Sequence, residues 1–208
     1  SCFHYIMVNK LGYKHFFAPD NMANYVRGSV IYSKYDISRS GTLFPMDKKY
    51  YSMAYADINV KKQKVRIYNV HLDSYMLSEE EKKEVEDIKE GQITSEQTSK
   101  SVLKKLMQTN KKQAQEVREL SNVINETEGS FLMVGDFNAT PYSYTYQILT
   151  KGLKDSFVEK GSGFSGTHNF FAPKFRIDYV LASEKIGVES YKQEVFDYSD
   201  HNPVVVDF

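Results

Sequence analysis

The chain has 208 residues, with 27 Lys+Arg against 27 Asp+Glu, so its formal net charge is zero and nothing global marks it as a polyanion binder. Its 41% hydrophobic and 26% charged residues are ordinary for a soluble domain, and it contains neither a run of about 18 apolar residues nor a basic-then-apolar leader. The single cysteine, Cys2, excludes an internal disulfide, and the length suits one domain over 1–208.

In chain order, GSVIYSK (28–34) reads as a short strand. YSMAYADINV and KVRIYNVHL flank the polar turn KKQ and read as a strand pair. A charged region over about 77–128 reads as a helical insert. Ser78 and Glu81 have capping-box spacing at the start of the short helix SEEEKKEVED. A longer helix is predicted over 95–125, where Val102, Leu103, Leu106, Val117, Leu120, Val123 and Ile124 share a face, with a polar interval between them. The charge here reads as a solvated helix face.

FLMVGD then reads as a strand, and 144–149 as a short helix. A Gly/Ser-rich loop, EKGSGFSGTHN, leads into the strand FRIDYVLAS. The end of the chain, ESYKQEVFDYSDHNPVVVDF, is a strand-like stretch, a polar turn and an apolar finish. Strands interleaved with helices favour layered α/β.

Four stretches place acid, amide or imidazole groups at or near strand ends: NVHLDS with His71, GDFN with Asp136 and Asn138, RIDYVL with Asp178, and SDHNPV with Asp200 and His201. Singly, each has a plain structural reading. His71 can be a hydrogen-bonded strand histidine, GDFN a strand-ending Asx turn, and Asp200-His201 a surface turn. Asp178, between Ile177 and Tyr179, needs a partner, because an unpaired carboxylate in an apolar strand is costly. Together they suit metal-assisted hydrolysis of a phosphate ester. One carboxylate holds a hard cation, an acid and an amide orient water, and imidazolium neutralises phosphoryl charge. HExxH, CxxC, GxxxxGK[ST] and GxSxG are all absent, which weakens zinc-protease, P-loop and serine-hydrolase readings.

In that order, NVHL, GDFNATP, RIDYVL and YSDHNPVVVDF resemble the endonuclease/exonuclease/phosphatase superfamily. The resemblance implies a four-layer α/β sandwich, two packed and mostly antiparallel sheets flanked by helices, with Mg2+ or Mn2+ as cofactor. It implies catalytic roles for His71, Asp136, Asn138, Asp178 and His201, and a metal-associated role for Asp200. The long insert and the loop before RIDYVL resemble a bacterial branch whose members often carry transmembrane helices ahead of the catalytic domain. The parent is therefore expected to be anchored to the inner membrane, although this chain has no span of its own.

One departure is large. The family's Asn-bearing strand and its strand ending in a metal-binding Glu have no counterpart before Gly28. Residues 1–27 look like the helix and strand that follow that Glu, and the chain opens on Ser1. The resemblance therefore implies an N-terminally truncated domain that binds Mg2+ weakly, hydrolyses little, and leaves a sheet edge for another chain to cover.

The expected substrate is a nucleic acid, a lipid headgroup or a small phosphodiester. The 5-phosphatase motifs WxGDxNYR and PAWTDR are not matched. Arg176 reads as a phosphate contact or a solvent-facing strand residue. His168 reads as lining the cleft, and Tyr142 and Tyr144 as pocket rim or ordinary packing. The alternative to an enzyme is an inactive scaffold that binds a partner through the same fold.

Overall fold

The computed structural model describes residues 2–19, 29–43, 52–75, 78, 80–81, 83, 87, 96–169, 175–195 and 198–208. The chain opens with a short helix α1 (Cys2–Tyr5), continued as a π-turn over Ile6–Lys10, and then β1 (His15–Phe17). β1 pairs antiparallel with β2 (Ile31–Ser33).

β3 (Ile37–Thr42), β4 (Ser52–Val60) and β5 (Gln63–His71) form an antiparallel run. The turn between β4 and β5 is two residues, Lys61 and Lys62, both at positive φ (47° and 72°). This matches the twist that a two-residue hairpin requires. A long helix α2 (Glu96–Asn125) then crosses to β6 (Ser130–Asp136), which lies parallel to β5. α3 (Tyr144–Leu149), β7 (Leu153–Asp155), α4 (Ser156–Lys160), β8 (Asp178–Ser183), β9 (Ser190–Gln193) and β10 (Val204–Asp207) complete the chain. Among the described residues the main sheet is six-stranded in the order β3-β4-β5-β6-β8-β7, and its β5–β6 pair is parallel while the others are antiparallel.

Strand alternation divides the core between the two faces of this sheet. Tyr68, Val70, Phe131, Met133, Tyr179 and Leu181 are buried in one cluster with Val117 and Leu120 of α2. Ile31 of β2 buries against Ala54, Ala56 and Ile58 in a second cluster. With its smaller sheets and outer helices, the domain is the expected α/β sandwich. The capping box closes in both directions: Ser78 N–H donates to Glu81 Oε2 at 2.8 Å, and Glu81 N–H donates to Ser78 Oγ at 3.2 Å. Most of the predicted helix after Ser78, and the side chains of Val102, Leu103 and Leu106, lie outside the described residues. Among the described residues, no helix is long and apolar enough to cross a membrane.

Candidate active site

Strand register builds the site. His71 is opposite Asp136 across the parallel β5–β6 pair, and Asp136 is opposite Asp178 across the antiparallel β6–β8 pair. Opposed residues share a face, so three adjacent strands present an imidazole and two carboxylates in one row. Gly135 permits the close approach. Its φ is 137°, and a Cβ there would collide with the Val70 carbonyl.

β6 ends at Asp136 in an Asx turn. The Asn138 backbone N–H donates to Asp136 Oδ1 at 2.8 Å. Its side-chain Nδ2 donates to the Leu72 carbonyl at 3.0 Å and to Asp136 Oδ2 at 3.3 Å. Asn138 sits at φ 46°, a left-handed conformation that asparagine tolerates better than most side chains.

His201 comes from the turn before β10. Its Nδ1 lies 2.9 Å from Asp178 Oδ2, which holds the ring with Nε2 turned toward Asp136. Asp136 Oδ2 is 3.9 Å from His201 Nε2 and also 3.9 Å from His71 Nε2. One carboxylate oxygen therefore faces two imidazoles. A cleft of about 500 Å3 adjoins, lined in part by Val134, Gly135, Asp178, His201, Pro203 and Val204.

Thr167 frames this group. Its hydroxyl accepts from the N–H groups of Ile177 and Asp178, both at 3.0 Å, and its carbonyl accepts from Asn202 N–H at 2.7 Å. The Asn169 and Asn202 amides bond reciprocally at 3.0 and 2.8 Å. Neither Thr167 nor Asn202 was singled out from sequence. Their only signal was adjacency to His168 and His201.

Burial first, and then the charge of Asp178, pushes the Asp136 carboxyl up to about 7, against the pull of Asn138 N–H and His201. The hydrogen bond to Asp178 is the main cause that raises His201 to about 9, with burial opposing it. Two described groups can hold a cation, with ligand atoms within 4.8 Å of one another: Asp136, Asp178 and His201, and separately His168, Asp200 and His201. The His168 ring stands edge-on to His201, centroids 4.7 Å apart.

The structure thus brings together His71, Asp136, Asn138, Asp178 and His201, with His168 and Asp200 beside them. Arg176 is a correction. It does not face solvent, but is buried with its Nη1 2.6 Å from Asp155 Oδ2. The strand expected from Phe175 begins only at Asp178, after this buried pair. Tyr142 and Tyr144 are exposed on the turn that follows Asn138 and at the start of α3.

Carboxylates, an amide and imidazoles are thus gathered on one rim of a layered α/β sheet. The chain belongs to the Endonuclease/Exonuclease/phosphatase family, whose sequence model matches residues 4–201. No curated protein matches it. Among solved structures it is similar to an endonuclease/exonuclease/phosphatase protein from Beutenbergia cavernae, at 16% identity and TM-score 0.65, covering 99% of this chain and 56% of that one. It is also similar to the 3′ phosphatase NExo from Neisseria, solved bound to product DNA hairpin, at 18% identity and TM-score 0.59, covering 86% and 74%. A third is a mannosyl-6-phosphatase from Bacteroides thetaiotaomicron, at 16% identity and TM-score 0.55, covering 86% and 69%. At such identities the likeness is one of fold.

Proposed function

We propose that the chain carries a metal-dependent phosphodiesterase site. The observation behind this reading is the shared oxygen: Asp136 Oδ2 stands 3.9 Å from the Nε2 atoms of both His71 and His201, while Asp178 orients His201 from behind. Both donor hydrogens of the Asn138 amide are engaged, which leaves its Oδ1 to accept from a water. Asp136 accepts the water's proton as the water oxygen bonds to phosphorus and the P–O bond to the leaving group breaks, the departing oxygen taking a proton from solvent; a group that titrates near 7 suits that task at neutral pH. Protonated His201, with His71, neutralises charge on the phosphoryl oxygens.

The donors fit a divalent cation. Two described groups bring their possible ligand atoms within 4.8 Å of one another, and carboxylates are hard donors. Asp200 would supply a ligand oxygen, from the group it forms with His168 and His201. Bound there, Mg2+ or Mn2+ would supply Lewis-acid polarisation of a phosphoryl oxygen.

Charge favours a diester over a monoester. The described site gathers Asp136, Asp178 and Asp200 around imidazoles, while Arg176 is committed to Asp155. A singly charged diester meets less repulsion there than a dianionic monoester. DNA, a lipid headgroup and a small diester all satisfy this chemistry; the neighbour bound to a DNA hairpin makes DNA one arm of the test.

The test is hydrolysis of plasmid DNA, sphingomyelin, bis-(p-nitrophenyl) phosphate and p-nitrophenyl phosphate with Mg2+ or Mn2+. His201→Ala should lower kcat/KM by about 10³–10⁴. Turnover unchanged by that substitution would overturn the mechanism, and a monoester cleaved faster than any diester would overturn the substrate class.

A further inference from the structure

We propose that Gln113 of α2, assisted by Glu116, is a positioning residue that clamps the loop after β5 to the loop after β6 and so sets the spacing of His71 from Asp136 and Asn138. What that spacing accomplishes rests on the phosphoesterase reading; the clamp itself does not.

The face that α2 buries changes chemistry along its length. Thr109, Gln113, Glu116, Val117 and Leu120 are all buried, at spacings that fall on one helical stripe. Val117 and Leu120 join the core over β5 and β6. One turn earlier the stripe is polar, yet Gln113 is only 1% exposed. A helix packed on a sheet normally continues its apolar stripe. The polarity here has a local cause, because the sheet has ended and loop backbone lies beneath the helix. Buried backbone groups require partners.

Gln113 supplies them to both loops at once. Its Nε2 donates to the Asp73 carbonyl at 2.7 Å and to the Asn138 carbonyl at 3.1 Å. Glu116 Oε2 accepts from Asp73 N–H at 3.3 Å, so the helix binds both main-chain polar atoms of Asp73. Asp73 and Asn138 each lie two residues beyond a member of the register pair His71–Asp136. The clamp therefore continues strand pairing past the point where the strands stop. The left-handed backbone at Asn138 sends its carbonyl to Gln113 while its side chain bonds Asp136 and the Leu72 carbonyl. A planar amide is suited to this place, since it offers two N–H donors from one atom and an acceptor for the Thr145 hydroxyl.

The experiment uses the full chain with Gln113→Leu, Gln113→Glu and, as a packing control on the same helix, Val117→Ala. Gln113→Glu nearly preserves shape, so it remains informative if the leucine variant does not fold. The first readout needs no substrate: the backbone and side-chain amide NMR signals of Asn138, with hydrogen exchange at Asn138 and Asp73. Both Gln113 variants should shift the Asn138 signals and speed its exchange by about tenfold or more. Lowering the pH should move the Gln113→Glu signals back as its carboxyl regains a donor hydrogen. Val117→Ala should lower Tm and leave them in place.

The second readout is bis-(p-nitrophenyl) phosphate turnover. The Gln113 variants should lose about 10- to 100-fold in kcat with KM nearly unchanged. Asn138 signals identical to wild type in both Gln113 variants, or moved equally by Val117→Ala, would overturn the clamp. A wild-type chain that cleaves no phosphate ester would instead sink the functional reading, and the NMR result would still decide the clamp.

Discussion

Arg176 and Asp178 stand two residues apart, and each makes a short ion pair, but the two pairs serve different ends. Arg176 Nη1 is 2.6 Å from Asp155 Oδ2, with the side chains 7% and 5% exposed. The guanidinium lies over the rings of Phe157, Tyr179 and Tyr146 at 4.7, 4.8 and 5.7 Å. Tyr146 Oη donates to the same Asp155 oxygen at 2.7 Å, and Asp155 Oδ1 caps α4 by accepting from Phe157 N–H at 2.9 Å. This bonding is turned inward. His201 and Asp178, 2.9 Å apart, are 31% and 22% exposed, and Nε2 still faces Asp136 and the cleft. An ion pair becomes a site when one member keeps a bonding direction open to a ligand. When both members are enclosed, the pair is scaffold.

Exchanging the damage tests that distinction, and gives the largest effects. Asp178→Asn replaces the carboxylate that orients His201 with a neutral amide that can present a donor to the ring. It should cost about 10³–10⁴ in kcat/KM, equivalent to about 4–5 kcal/mol of barrier. Arg176→Met strands the buried Asp155 carboxylate. It should cost about 3–5 kcal/mol of stability while folded molecules retain most of their activity. A stable but inactive Arg176→Met would erase the difference between the two pairs.

A smaller effect comes from Asp136, whose carboxyl is raised from an ordinary 3.8 to about 7. The native state then binds a proton more tightly than the unfolded chain does. The stability this contributes is complete below about pH 4 and is lost as pH rises through 7. Asp136→Asn escapes that loss. In chelator it should be more stable than wild type by about 3 kcal/mol at pH 8, with the gap closing toward pH 4. His201, raised from 6.5 to about 9, loses its own contribution as pH rises through 9, so wild type should weaken further in that range. A variant less stable than wild type at pH 8 would mean that Asp136 belongs to the scaffold after all.

Much of this was legible in short stretches. FLMVGDFN reads as a strand that ends in a turn, and it is β6 followed by the Asx turn at Asp136. KKQ reads as a tight turn, and it narrows to Lys61 and Lys62. Strand-end acids and imidazoles pointed to one rim because their positions on each strand are local facts. What stayed hidden depends on distant partners. The polar interval of α2 reads as a solvated face, yet Gln113 and Glu116 are buried, because the loops they serve are far away in sequence. Arg176 finds Asp155 across 21 residues, with no local pattern to announce it. The strand ISRSGT (β3) has no apolar alternation of its own and is specified by its pairing with β4.

Tyr179 lies where scaffold and site meet, and it sets the smallest of these effects. Its Oη is 2.7 Å from the Ala139 carbonyl, just past Asn138, and 2.9 Å from the Arg176 carbonyl, just before Asp178. Burial pushes the phenol pKa upward, so the hydroxyl stays protonated and donates. Tyr179→Phe keeps the ring against Phe137 and Tyr146, at 5.0 and 5.1 Å, and deletes only the donor. Loss of that bond should cost about 1–2 kcal/mol of stability. The site side should suffer less, because Asn138 remains held by Asp136 and Gln113 and Asp178 by Thr167. A fall in kcat/KM of no more than about fivefold, some 1 kcal/mol, is therefore expected. A fall approaching that of Asp178→Asn would show that the enclosed pair reaches the open one through this hydroxyl, and that the two are one unit.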